Sequence, residues 1–386
     1  MQKHVGIIGT VGKIPKTFQL KNQELLQATG MNTGNLVFQY AVYNAIYDER
    51  IIIGSELPWD PDKVRETCRV IVIPAANFVR EGADFTSMAN FLEKVDLPLV
   101  VLGLGAQADD YSKKSFELLP GTQRLLDIFK ERCRTIGVRG PYSAEILEGM
   151  GVKNTAVIGC PSNFLNFDPN LPNILEKKFL QSSNVLSVTG DEPWPKSALK
   201  REAERKLITL IQQHGGVYIL QSVEPFFKMM RALNSYQLPE SDLEKLTLSL
   251  CNALTPEMSA EDFRKFAYSC FRIYFDVDQW LEDASRFDLS VGLRLHGNMV
   301  PFQAGTPAIW ITHDARTQEL AETMSLPRIS LDDFLDAQDV QALKDAANPD
   351  FSAYATTRDI LMRRYLEIFG ENAIAHAHEV IQLQPV

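Results

Sequence analysis

Short runs of β-branched and aliphatic residues recur along this chain without polar alternation, and longer stretches of helical periodicity separate them. The first series is His4–Thr10, Arg69–Pro74, Pro98–Gly103, Thr135–Val138 and Thr155–Gly159. The second is Asn184–Val188, Gly216–Gln221, Phe271–Phe275, Leu289–Gly292, Ala308–Thr312 and Arg328–Ser330. A strand with one wet face alternates apolar and polar side chains, whereas a strand covered on both faces does not. Helical stretches lie between the runs, at Asn35–Tyr47, Gln123–Arg132, Tyr142–Gly149, Lys196–Gln213 and Ala315–Met324. Strands of this kind separated by helices specify a parallel sheet with helices on both sides. Two series predict two doubly wound α/β domains, over residues 1–170 and 180–350. The break is expected within Asn166–Asn184, which is rich in Pro, Asn and Ser. Residues 351–386 carry a helical pattern over Tyr354–Gln382 with no strand, and are expected to pack back on the first domain.

A length of 386 residues allows two cores, and 45% hydrophobic with 23% charged residues is an ordinary globular mix. The net charge of −10 argues against a general nucleic-acid binder, while a local Arg cluster can still hold a small anion. The five cysteines are scattered and form no C-x-x-C pair, so they imply neither a zinc site nor a disulfide framework. They read as buried thiols of a cytoplasmic protein. No apolar stretch reaches the ~20 residues of a membrane helix, which leaves peripheral contact with a membrane open. Nothing in the sequence sets an oligomeric state.

In open parallel sheets, ligands bind beyond the carboxyl ends of the strands, so the residues just after each run carry the functional information. Arg139-Gly140-Pro141 follows one run and opens a helix, where free backbone N–H groups and a guanidinium suit a phosphate or carboxylate. A salt bridge to a neighbouring loop is the plainer reading of Arg139. Arg294-Leu295-His296-Gly297 follows another run and combines a permanent cation, a group that titrates near neutrality and a glycine that admits a close approach. The plainer reading of His296 is a hydrogen bond to a carbonyl. Gly103-Leu104-Gly105-Ala106-Gln107 is half of a dinucleotide fingerprint and reads as a tight turn that leaves Gln107 to a ligand. Asp276 and Asp278 fit a helix cap better than a metal pair, and no metal ligands are expected. His376 and His378 read as surface residues.

These segments together resemble the polysaccharide pyruvyl transferase family. The resemblance rests on TGNLVFQYAV (Thr33–Val42), VIPAANFV (Ile71–Val79), LGLGAQ (Leu102–Gln107), IGVRGPYSAEIL (Ile136–Leu147), VIGCPS (Val157–Ser162) and GLRLHGNMVPFQAGTPAI (Gly292–Ile309). It implies two Rossmann-like halves facing across a cleft in a GT-B-like manner. It also implies transfer of a pyruvyl group from phosphoenolpyruvate to a sugar or glycan acceptor, free or lipid-linked, to form a pyruvate ketal without a cofactor. On this reading His296 moves the proton, Arg139 and Arg294 clamp the donor, and Gly34, Asn35, Asn77, Gly105, Gln107 and Gly297 line the substrate site. A nucleotide-sugar glycosyltransferase of GT-B type, with Glu224 as a ribose ligand, and a non-catalytic glycan- or anion-binding protein are the alternatives. Two features depart from the family pattern. Val11–Gly30 lengthens the link after the first strand, and Asp191-Glu192 stands where a phosphate would be repelled.

Overall fold

The computed structural model describes residues 3–108, 112–222, 224–235 and 238–378. The last part of the expected C-terminal segment, residues 379–386, lies outside the described residues. Two separate six-stranded sheets, each wholly parallel, organise the chain. The first contains β1 (His4–Ile7), β2 (Arg50–Ile52), β3 (Cys68–Pro74), β4 (Leu99–Leu104), β5 (Cys133–Val138) and β6 (Thr155–Val157). The second contains β7 (Leu186–Thr189), β8 (Gly216–Leu220), β9 (Phe271–Ile273), β10 (Leu289–Gly292), β11 (Ala308–Thr312) and β12 (Arg328–Ser330). Sequence periodicity misses only β2, whose three residues pair with β1 at the sheet edge.

Burial explains why the strands lack polar alternation. Along β3, Val70 and Val72 join the core shared with the second half, while Ile71 and Ile73 join the core under the Thr86–Val95 and Pro120–Arg132 helices. The expected break holds a helix, Leu171–Phe179, with Pro172 in its first turn and Leu171, Pro172, Leu175 and Phe179 buried. Proline there costs nothing because that turn has no internal N–H partner. The long Phe351–Glu371 helix packs against this helix and against β4, β5 and β6, and buries Tyr354, Arg358, Tyr365 and Phe369. His376 is buried rather than exposed, since its backbone bridges Ile46 and its ring lies beside that of Phe369.

The lengthened link after β1 is a strap to the second half. Gly12 O accepts from Val277 N at 3.1 Å, Ile14 N donates to Phe275 O at 2.9 Å, and Lys13 is ion-paired with Asp276. Asp276 itself caps the Val277–Ala284 helix through Asp278 N and Gln279 N.

A second tie joins the halves at the Pro141–Gly149 helix. Ser143 N donates to Glu319 Oε1 at 2.7 Å, and Ser143 Oγ donates to Glu319 Oε2 at 2.9 Å. Glu319 belongs to the Ala315–Thr323 helix of the second half. The helix mouth expected to receive a ligand's phosphate therefore holds a carboxylate of the chain itself, favoured there by the positive end of the helix dipole. Gly140 makes room for it, because a Cβ at that position would lie 2.5 Å from Glu319 Cγ. Glu319→Ala strands two buried donors and should cost about 1–3 kcal/mol. Thermal or urea unfolding should show the loss, with Glu319→Gln in between; unchanged stability in both variants would contradict an interdomain tie.

Candidate active site

The second sheet runs β9-β8-β7-β10-β11-β12, so the strand order reverses between β7 and β10. The loops leaving these two strands diverge there and open a crevice. The loop after β10 ends at Arg294, which caps the Leu295–Gln303 helix with extended backbone, and His296 is the second residue of that helix. Two buried side chains fix this turn. Trp310 Nε1 donates to Leu295 O at 3.1 Å. Asn298 Nδ2 donates to Gly292 O at 2.9 Å while its Oδ1 accepts from Ser290 Oγ at 2.9 Å. The first sheet runs β2-β1-β3-β4-β5-β6 and reverses between β1 and β3. The loop leaving β3 carries Ala76 and Asn77, and the loop leaving β5 carries Arg139.

These two crevices face each other. Asn32, Asn35, Ala76, Asn77, Arg139, Gln221, Arg294, Leu295, His296, Arg316 and Leu320 line one polar cleft. A larger cavity lies under the strap, against Phe18, Leu25 and β9. Its Arg231 holds Asn22 and its Arg272 donates to Phe271 O, so its cations serve the chain.

Arg139 is buried and braced within the first half. Its Nε donates to Gly103 O at 3.1 Å and its guanidinium hydrogen-bonds Asn77 Oδ1. Asn77 Nδ2 in turn donates to Gln107 Oε1 at 2.7 Å. Gln107 thus orients Asn77 and stands outside the cleft lining. Gly105 is the seat of Arg139, since a Cβ there would lie 2.5 Å from Arg139 Cδ. Burial lowers the Arg139 pKa to about 10, with Arg316 nearby pushing the same way, so it stays cationic at neutral pH.

Arg294 is braced by the residues expected to oppose it. Its Nε lies 2.8 Å from Asp191 Oδ1, and its Nη2 donates to Asp191 O at 2.8 Å and Ser222 Oγ at 2.7 Å. Asp191 therefore orients the Arg rather than facing a ligand's phosphate. Buried Glu204 holds that loop by accepting from the backbone N–H groups of Asp191 and Glu192 and from Tyr218 Oη at 2.6 Å. Burial raises the Glu204 pKa to about 7, with hydrogen bonds from Tyr218 and Asp191 N–H opposing the rise. The folded state then holds the proton more tightly than the unfolded chain, whose carboxyl titrates near 4.5. Stability contributed by Glu204 is present below pH 4.5 and is lost as pH rises through about 7. The stability difference between wild type and Glu204→Gln should fall by about 3 kcal/mol over that window. Denaturant titrations at stepped pH measure it, and a flat difference would contradict the assignment.

His296 lies between the halves. Its Nε2 is 3.5 Å from Cys160 Sγ, and its ring packs on that of Phe38 at 5.6 Å between centroids. Burial drives its pKa down to about 3, and the charges of Arg139 and Arg316 add to the effect. Its imidazole is therefore neutral, with a pKa well below the near-neutral value that its position in the sequence led us to expect.

The glycines of the cleft make room for side chains. A Cβ on Gly34 would lie 2.5 Å from Gln221 Oε1, and one on Gly297 would lie 2.5 Å from Gln221 Nε2 and closer to Thr189. Close approach at Gly297 is thus to Thr189 and Gln221. Asn35 Nδ2 donates to Thr29 O and Gly30 O, each at 3.1 Å, and shapes the entry turn. Glu224, the candidate ribose ligand, is exposed at the start of its helix and paired with Lys228 at 2.9 Å. Sequence reasoning missed Gln221 and Arg316. Arg316 follows β11 in THDARTQEL at a helix mouth, the same context that marked Arg139 and Arg294. Gln221 Nε2 and Arg316 Nε are buried without a hydrogen-bond partner. A cleft with three guanidinium groups and two such donors is built for an acceptor-rich anion. Among the described residues no group of His, Cys, Asp and Glu has the arrangement to hold a metal ion, and no helix is long and apolar enough to cross a membrane.

Two parallel Rossmann-like halves with an arginine-lined cleft between them define a GT-B-like fold. The profile of the polysaccharide pyruvyl transferase family matches residues 32–315, and the chain belongs to that family. None of the curated proteins is similar enough to match it. Among solved structures, it is similar to an Anabaena protein in complex with UDP and glucose, at 13% identity, 100% coverage of both chains and a TM-score of 0.45. It is also similar to UDP-N-acetylglucosamine 2-epimerase from Rickettsia bellii, at 12% identity, 96% coverage of both chains and a TM-score of 0.45.

Proposed function

We propose that the chain transfers the pyruvyl group of phosphoenolpyruvate to two hydroxyls of a sugar in a glycan or glycan precursor, forming a pyruvate ketal and releasing phosphate. The observation that carries this reading is the meeting of Arg139, Arg294 and Arg316 with His296 in one cleft. Phosphoenolpyruvate bears a carboxylate and a phosphate, and three guanidinium groups match its charge better than they match a neutral sugar. Protonation of the methylene carbon makes an oxocarbenium-like centre at the adjacent carbon. One sugar hydroxyl adds there and gives up its proton; the second displaces phosphate, which leaves with that hydroxyl's proton, and closes the ring. No electrons are gained or lost, so the chemistry calls for no redox cofactor. A bound dianion would stabilise the imidazolium form of His296 and offset part of the effect of the two Arg charges.

Calorimetric titration with phosphoenolpyruvate, inorganic phosphate and UDP-sugars tests the reading. Selective binding of phosphoenolpyruvate, weakened in Arg316→Ala by roughly tenfold or more, is expected. Preference for a UDP-sugar would favour the glycosyltransferase alternative and overturn this one.

A further inference from the structure

We infer that Cys160 is the positioning residue of His296: its thiol holds the imidazole with the proton on Nδ1 and relays a proton to Nε2 when Nδ1 gives its own away. The inference deepens the pyruvyl-transfer reading and rests on it for the chemical step, while the tautomer stands on the geometry.

Cys160 directly follows Gly159 in the segment after β6, and its thiol is buried between the halves. Ser162 Oγ donates to Cys160 Sγ at 3.0 Å, and the opposite contact of the sulfur is His296 Nε2 at 3.5 Å. Cys160 N is turned away, towards Met324 Sδ at 3.5 Å. A buried thiol whose sulfur already accepts from a hydroxyl has its own S–H left to place, and the imidazole nitrogen is the strong acceptor within reach. That bond requires a bare Nε2, so the single proton of a neutral imidazole sits on Nδ1. Nε2 faces the thiol, which leaves Nδ1 as the ring nitrogen for a ligand in the cleft. The charged or titratable groups around the pair are Arg139, Arg316 and Tyr365. The two guanidinium groups disfavour a second proton on the ring.

This arrangement answers a difficulty in the transfer chemistry. A proton donor is needed, yet burial and the charges of Arg139 and Arg316 keep the ring neutral. In a relay the ring never carries two protons. The Nδ1–H bond breaks as the new C–H bond forms at the methylene carbon of phosphoenolpyruvate, and the C=C electron pair takes the proton. The S–H bond breaks as Nε2 gains that proton, so the imidazole stays neutral and a thiolate remains. Arg139 and the Ser162 hydroxyl stabilise the thiolate. When the sugar hydroxyl adds, its proton passes to Nδ1, the Nε2 proton returns to sulfur, and the starting state is restored.

Nitrogen-15 NMR of protein labelled on its histidines reads the tautomer directly, with His296 assigned by comparison with His296→Gln. Wild type should show a protonated Nδ1 and a bare Nε2. Cys160→Ala should lose this preference and Cys160→Ser should keep it, because a hydroxyl can still donate. A proton on Nε2 in wild type, or an unchanged tautomer in Cys160→Ala, would overturn the inference. With phosphoenolpyruvate and an acceptor, kcat of Cys160→Ala should drop by roughly tenfold or more with KM little changed, and Cys160→Ser should recover part of it. Equal kcat in wild type and Cys160→Ala would overturn the relay. If wild type itself turns over no phosphoenolpyruvate, the transfer reading fails and the relay with it, whereas the NMR result still decides the tautomer.

Discussion

Replacing His296 by Gln should lower turnover with phosphoenolpyruvate by roughly 10²–10⁴-fold while KM changes far less. Glutamine keeps a hydrogen-bonding group at the same depth and cannot shuttle a proton, so the loss reports on proton transfer. The pH profile adds a second check. The free enzyme is competent when the imidazole is neutral, and burial with Arg139 and Arg316 keeps it neutral down to about pH 3. No acidic limb of kcat/KM near pH 6.5 should therefore belong to His296. Near-normal turnover in His296→Gln would remove it from the chemistry, and an equal loss of donor affinity and turnover would make it a binding residue.

Arg294→Lys should lower kcat/KM for phosphoenolpyruvate by roughly 10²-fold, corresponding to about 3 kcal/mol. The substitution keeps the charge and loses the fork. Arg294 meets Asp191 Oδ1 through Nε and meets Asp191 O and Ser222 Oγ through Nη2. A lysine ammonium is one point with three donors; it cannot hold the loop and face the ligand together. Arg294→Ala should do at least as much harm, because it also leaves Asp191 half-buried without its cation. Steady-state kinetics with varied phosphoenolpyruvate measure both, and a Lys variant within twofold of wild type would contradict the bidentate role.

The fold was legible because buried parallel strands announce themselves. All strands except β2 stand out as apolar runs, and β2 escapes because Arg50–Ile52 is three residues long at a sheet edge beside Asp48 and Glu49. The site was legible where a strand end carries its own chemistry, as at Arg139, Arg294 and His296. Arg316 met the same rule, one residue into the Ala315–Thr323 helix, and was passed over. What lies across a gap of many residues was not legible. The pairing of Asp191 with Arg294 bridges 103 positions and that of Ser143 with Glu319 bridges 176. An acidic residue after a strand looks repulsive to a phosphate until the packing shows it bound to a guanidinium. A free helix mouth looks like an anion site until a carboxylate from the other half fills it. The glycines show the same limit, since sequence reveals the missing Cβ and only the fold reveals that Gln221 and Arg139 occupy its place.

The most direct measurement is mass spectrometry of candidate glycans after incubation with the protein and phosphoenolpyruvate, with released phosphate followed in parallel. The account predicts glycan carrying one added pyruvate ketal for each phosphate released, a product stable to mild base, and both signals formed roughly 10²-fold or more slowly with His296→Gln. Glycans that gain no pyruvyl mass from phosphoenolpyruvate yet gain a hexose from a UDP-sugar would contradict it.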